Sequence, residues 1–132
     1  AMEDYLKGIY RLWSEAGPVT TQRLAEELVV SSPSATNMVK RLHELGLAQH
    51  TRYQGVELTA EGERVALDVI RRHRLIERYL VESLGFPLDE AHGEADRLEH
   101  HVSAALQARL DAALGYPRRG PHDAKLSCAQ PR

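Results

Sequence analysis

Apolar residues at the start of the chain recur at helical spacing: Leu6, Ile9, Tyr10 and Trp13 predict a first helix that stops near Gly17-Pro18. Thr20 is placed to cap a second helix, with Val19 and Leu24 as a hydrophobic staple and Leu24, Ala25 and Leu28 facing inward. Ser32, followed by Pro33 in the first helical position, predicts a third helix. That helix would bury Ala35, Met38, Val39, Leu42 and Leu45, show Ser34, Asn37, Lys40, Arg41 and Glu44 to solvent, and end at Gly46. The period then changes. Residues 47–51 and 56–59 read as short strands around Arg52-Tyr53-Gln54-Gly55.

The second half is helical again. Thr59 is expected to cap a long helix over about residues 60–84, with apolar steps at Val65, Val69, Ile70, Ile76, Leu80 and Leu84. Arg71, Arg72, Arg74 and Arg78 give it a basic flank that could touch DNA phosphate, with solvation the favoured reading. Gly85-Phe86-Pro87 breaks it, and one further helix is expected over residues 88–115, with Leu98, Val102, Leu106, Leu110 and Leu114 on its apolar face. Two helices cannot close a core alone and must pack on the winged domain or on a second copy, so a helical homodimer is the natural expectation. The predicted fold is mainly α with a small β-hairpin. A winged helix-turn-helix occupies 1–60, a helical metal-binding and dimerisation domain 61–117, and a tail or broken linker 118–132. His122 and Cys128, in that proline-rich basic tail, are read as incidental.

The densest chemistry lies in residues 89–101, DEAHGEADRLEHH, which hold eight ligand-capable side chains. On a helix, His92, Asp96, Glu99 and His100 fall within an arc of roughly 100°. Glu90, Glu94 and His101 point away, and Ala91, Ala95, Leu98 and Val102 form a separate apolar stripe. His73 and Glu77 make an i, i+4 pair on the long helix. A charged helix face is usually just solvated, and a lone His–Glu pair is usually an ion pair. Two such faces in a short chain favour an N/O site for a first-row metal.

A winged helix-turn-helix implies a double-stranded DNA operator, with the third helix in a major groove and the hairpin tip near the backbone or minor groove. Ser31, Pro33, Ser34, Thr36, Asn37 and Arg41 are the candidate DNA contacts on and before that helix, and Arg52 and Tyr53 those on the wing. The same architecture also serves some protein contacts. The net charge of −2 over 132 residues does not advertise nucleic acid, but five acids crowd residues 89–101 while 31–55 carry Lys40, Arg41 and Arg52 against Glu44. One cysteine excludes an intrachain disulfide and a thiolate-rich zinc site. No apolar run approaches the ~18 residues of a membrane span and no secretory signal is visible, so a cytoplasmic protein with no membrane partner is expected.

The winged helix followed by RHRLIERYL and HGEADRLEHH resembles the diphtheria toxin repressor family of metal-dependent transcriptional repressors, which includes the manganese transport regulators. The resemblance covers roughly residues 3–117. It implies a homodimer that binds palindromic operators only when metal-loaded and silences metal-uptake genes. It further implies one metal site from Asp4, Asp96, Glu99 and His100 and an ancillary site from His73, Glu77 and His92. Iron-type members hold Met and Cys at the positions of Asp4 and Asp96; hard carboxylates there favour Mn²⁺, with Fe²⁺ second and other divalent ions able to substitute in vitro. Lys7 stands where manganese-type members carry Glu, and His92 is an iron-type feature. Iron-type members also carry a third, SH3-like domain after a proline-rich linker, and this chain stops inside the corresponding stretch. Asp4 would tie the DNA-binding lobe to the dimer lobe through the metal. Two other readings stay open: a winged-helix regulator answering to a non-metal effector, and a metal-dependent hydrolase. The second lacks an evident nucleophile or cleft and leaves the winged helix unexplained.

Overall fold

The computed structural model describes residues 2–51 and 54–115. The chain divides into two compact units, Ala1–Ala66 and Leu67–Arg132. The expectations for Arg52, Tyr53 and the tail lie outside the described residues.

The first unit opens with α1 (Met2–Ala16), α2 (Thr21–Leu28) and α3 (Ser32–Glu44). The hairpin β1 (Ala48–Thr51) and β2 (Gly55–Leu58) follows, and then the first turns of α4 (Ala60–Leu84). Leu6, Ile9, Leu24, Val39 and Leu42 are buried at the centre, as their spacing predicts. Trp13 and Leu45 are not: both remain largely exposed, while Leu12 takes the inward position near the end of α1. Thr20 caps α2, accepting from the Arg23 backbone N–H at 3.0 Å. The cap of α3 is Ser31 rather than Ser32, because the Ser31 hydroxyl is the one that accepts from the Ser34 N–H, at 3.2 Å. Pro33 still sits in the first turn, where a missing N–H costs nothing.

β1 and β2 pair antiparallel from Ala48↔Leu58 to Thr51↔Gly55. The edge of β2 is covered by Val19, which exchanges two backbone hydrogen bonds with Val56, at 2.9 and 2.7 Å. Two glycines make this arrangement possible. Gly55 has φ +86° and any Cβ there would sit 2.7 Å from the Val19 carbonyl oxygen, and a Cβ on Gly62 would run into the Leu47 carbonyl oxygen. The Thr59 hydroxyl donates to the Gly46 carbonyl at 2.7 Å and accepts from the Gly62 N–H at 3.1 Å, so one side chain both starts α4 and anchors it to the end of α3.

The second unit contains the rest of α4, α5 (Leu88–Leu98) and α6 (Ala104–Ala113). The single helix expected over residues 88–115 is therefore two. Ser103 makes the difference: its hydroxyl accepts from the Leu106 N–H at 3.1 Å and starts α6 afresh. With the break, the predicted apolar stripe is not continuous. Val102 and Leu110 pack on the core, whereas Leu98 and Leu106 are exposed. The core joins Ile76 and Leu80 of α4 to Ala91 and Ala95 of α5. The basic flank of α4 is not simply solvated. Arg71 and Arg74 are buried, and Arg71 reaches Asp111 of α6 at 2.7 Å. Arg78 pairs with Glu82 at 2.6 Å on the exposed side.

Candidate metal centre and nucleic-acid interface

The same packing of α5 on α4 builds the ligand cluster. On α4, His73 and Glu77 lie in register with Val69, Ile70, Ile76 and Leu80, so polar groups occupy core-facing positions. On α5, the steps Ala91, Ala95 and Glu99 are each of four residues, which puts Glu99 on the stripe of the buried alanines rather than on a separate face. Glu77 is 0% exposed, Glu99 1% and His73 5%. His92 and Asp96, one position round the helix, have about half of their side-chain surface in solvent. His100 lies beyond the last turn of α5, in the segment leading to α6.

Two ligand groups converge on His73. His73 Nε2 is 3.1 Å from His92 Nδ1 and 3.6 Å from Glu77 Oε2, and His92 Nδ1 is 3.1 Å from Glu77 Oε2. On the other edge of the ring, His73 Nδ1 is 2.8 Å from Glu99 Oε1 and 3.4 Å from Asp96 Oδ1. Glu99 Oε2 in turn lies 3.4 Å from His100 Nε2. The grouping implied by the family pattern had set His73, Glu77 and His92 apart from Asp96, Glu99 and His100. In the structure the two sets touch through one imidazole. The signal for this was present in the sequence as the step of four from Ala95 to Glu99. Asp4 lies in the first turn of α1, in the first unit.

The donor set fits a divalent cation on two grounds. Neighbouring donors bonded at ~2.1 Å to one ion stand roughly 3.0–3.5 Å apart, close to the 3.1, 3.1 and 3.6 Å among His73, His92 and Glu77. Burial adds the second. Two carboxylates withdrawn from water cost several kcal/mol unless a cation or strong donors compensate them, as an order-of-magnitude figure. Imidazole nitrogen with carboxylate oxygen, and no thiolate, suits Mn²⁺, Fe²⁺ or Zn²⁺ rather than a soft ion.

On α3, Ser34, Thr36, Asn37, Lys40 and Arg41 are all exposed, on the face opposite the buried Ala35, Val39 and Leu42. Ser31 and Pro33 stand exposed at its start, where the Ser31 hydroxyl also donates to the Ser34 hydroxyl at 2.9 Å. The face therefore offers hydroxyls, one carboxamide and two cations. Lys40 was not among the expected DNA contacts but shares this face, and its charge suits a phosphate. Among the described residues, no helix is long and apolar enough to cross a membrane.

Residues 1–56 match the family model of the iron-dependent repressor N-terminal DNA-binding domain, and residues 59–126 that of the iron-dependent repressor metal-binding and dimerisation domain. The chain is 39% identical to the iron-dependent repressor IdeR of Mycobacterium leprae over 90% of its own length, but spans only 52% of that relative. It is 38% identical to an uncharacterized HTH-type transcriptional regulator of Methanocaldococcus jannaschii, covering 83% of this chain and 89% of that one. The solved structure of a manganese-dependent transcriptional repressor in complex with manganese superposes with a TM-score of 0.83 at 45% identity, over 92% of this chain and 56% of the other. The winged helix, the ligand cluster between α4 and α5 and these matches place the chain in the diphtheria toxin repressor family of metal-dependent transcriptional repressors.

Proposed function

We propose that this chain is a divalent-metal-dependent repressor that binds a double-stranded operator as a homodimer and silences metal-uptake genes, with Mn²⁺ as the preferred ion and Fe²⁺ second. One observation carries the reading: Glu77, Glu99 and His73 are buried around a cluster of N and O donors in a chain whose other unit is a winged helix. Such a cluster gives the cation a large differential affinity for the arrangement that brings the donors together, which is what a sensor requires. His73, Glu77 and His92 would form one site, and Asp96, Glu99 and His100 the core of another. Asp4 joins the second through the family pattern, and Ser31, Pro33, Ser34, Thr36, Asn37, Arg41, Arg52 and Tyr53 are the proposed DNA contacts. Bound metal would supply positive charge that holds the ligating elements in one arrangement. The role is regulatory rather than catalytic.

Dimerisation is supported by apolar surface on the second unit, where Leu84, Leu88, Leu98 and Leu106 are between 40% and 58% exposed. The reading is tested by binding to a metal-transporter promoter fragment in EDTA and then with Mn²⁺ or Fe²⁺. Binding that requires the ion, and is lost in Asp4→Ala while the dimer persists, is expected. Equal binding with and without metal would favour a non-metal effector.

A further inference from the structure

The metal-sensing reading leaves open how the two ligand groups communicate, and His73 is where they meet. A neutral imidazole has one N–H and one lone pair. Its two nitrogens here face different groups, Nε2 toward Glu77 and His92, and Nδ1 toward Asp96 and Glu99. Both nitrogens cannot serve as lone-pair donors at once. Which one binds the ion is therefore decided by which one holds the proton.

The geometry points to Nδ1 as the protonated nitrogen, held by Glu99. The Nδ1–Oε1 separation of 2.8 Å is that of a charge-assisted hydrogen bond, whereas Asp96 at 3.4 Å is too far for one. Glu99 is 1% exposed, so its carboxylate depends on protein donors, whereas Asp96 is half in solvent and can draw on water. We propose that Glu99 is a positioning residue that fixes His73 as the Nδ1–H tautomer and so reserves Nε2 for a divalent cation shared with Glu77 and His92. The proposal rests on the metal-sensing reading. Glu99 Oε1 accepts from His73 while Oε2 faces His100, so one carboxylate touches both ligand groups.

The experiment uses the full chain with ¹⁵N-labelled imidazoles, in EDTA and then with Cd²⁺, a diamagnetic probe. His73 is expected to carry its proton on Nδ1 in both states, with cadmium coupling on Nε2. A proton on Nε2, or cadmium on Nδ1, overturns the proposal. Glu99→Gln, checked for folding by circular dichroism, should become a mixture of His73 tautomers and lose about 10–100-fold in Cd²⁺ affinity at the first group, the usual effect of removing such a support. Unchanged tautomer and unchanged first-group affinity in Glu99→Gln also overturn it. Failure of the wild-type chain to bind Cd²⁺, Mn²⁺ or Fe²⁺ at all would instead sink the metal-sensing reading, and the metal-free tautomer would still decide what Glu99 does.

Discussion

At the residue scale, the first unit contains one group whose ionisation is set by its place in the fold. Burial raises the Tyr10 phenol above its usual value of 10.0, and the negative charge of Glu63 raises it further, against a smaller lowering by Ser14. The folded state therefore holds this proton more tightly than the unfolded chain does. Its contribution to stability is intact below the unfolded value and is lost as pH rises from there through the folded one. Tyr10→Phe should leave neutral-pH stability nearly unchanged and make the alkaline decline shallower. Urea melts of both proteins across the range from about pH 8 to 11, spanning the phenol's ordinary value, measure it. Parallel declines would mean that Tyr10 is not the group responsible.

At the element scale, capping decides where helices begin, and capping is also where the sequence was least legible. Thr20, Thr59 and the change of period after Gly46 were readable because each precedes an unambiguous periodic run. Ser31 and Ser32 are adjacent, and only the hydroxyl geometry separates them. Ser103 was read through because Leu98, Val102, Leu106 and Leu110 keep a helical spacing across it, and a spacing rule is blind to a change of direction. The candidate ligand residues stand out for the opposite reason: their type and step of three or four survive whichever face is buried. The step of four from Ala95 puts Glu99 at a core position, but the residue type hides it, since a carboxylate in the stripe of Ala91 and Ala95 reads as polar surface. Ser103→Ala should cost about 1 kcal/mol, the usual value of an N-cap, with the loss concentrated in α6. Hydrogen exchange at Leu106 and Gln107 is the appropriate probe. Faster exchange there with α4 and α5 unaffected is expected, whereas no change would show that contacts such as Arg71–Asp111 and the packing of Leu110 hold α6 in place without the cap.

At the scale of the whole molecule, the proposed metal sites would tie the stability of the second unit to the supply of metal. His73, Glu77, His92, Asp96, Glu99 and His100 all belong to that unit, so a cation can act on it before any operator is bound. An ion that binds only the folded state stabilises it by about 2.7 kcal/mol at a hundred times its dissociation constant. For a chain of this length that corresponds to a rise in melting temperature on the order of 10 °C. His92 allows the effect to be separated from the fold. About half of its side-chain surface is in solvent, but its Nδ1 meets the buried Glu77 carboxylate, so His92→Ala should lower metal-free stability by about 1–3 kcal/mol, and each protein is compared with its own EDTA baseline. The same variant should lose most of the Mn²⁺-dependent rise, because it removes one of the three converging donors. Calorimetric scans of the wild type and His92→Ala, each with EDTA and with graded Mn²⁺, make the comparison. A rise that grows with Mn²⁺ in the wild type and is nearly absent in the variant places the stabilising ion at His73, Glu77 and His92. An equal rise in both assigns it to Asp96, Glu99 and His100 instead.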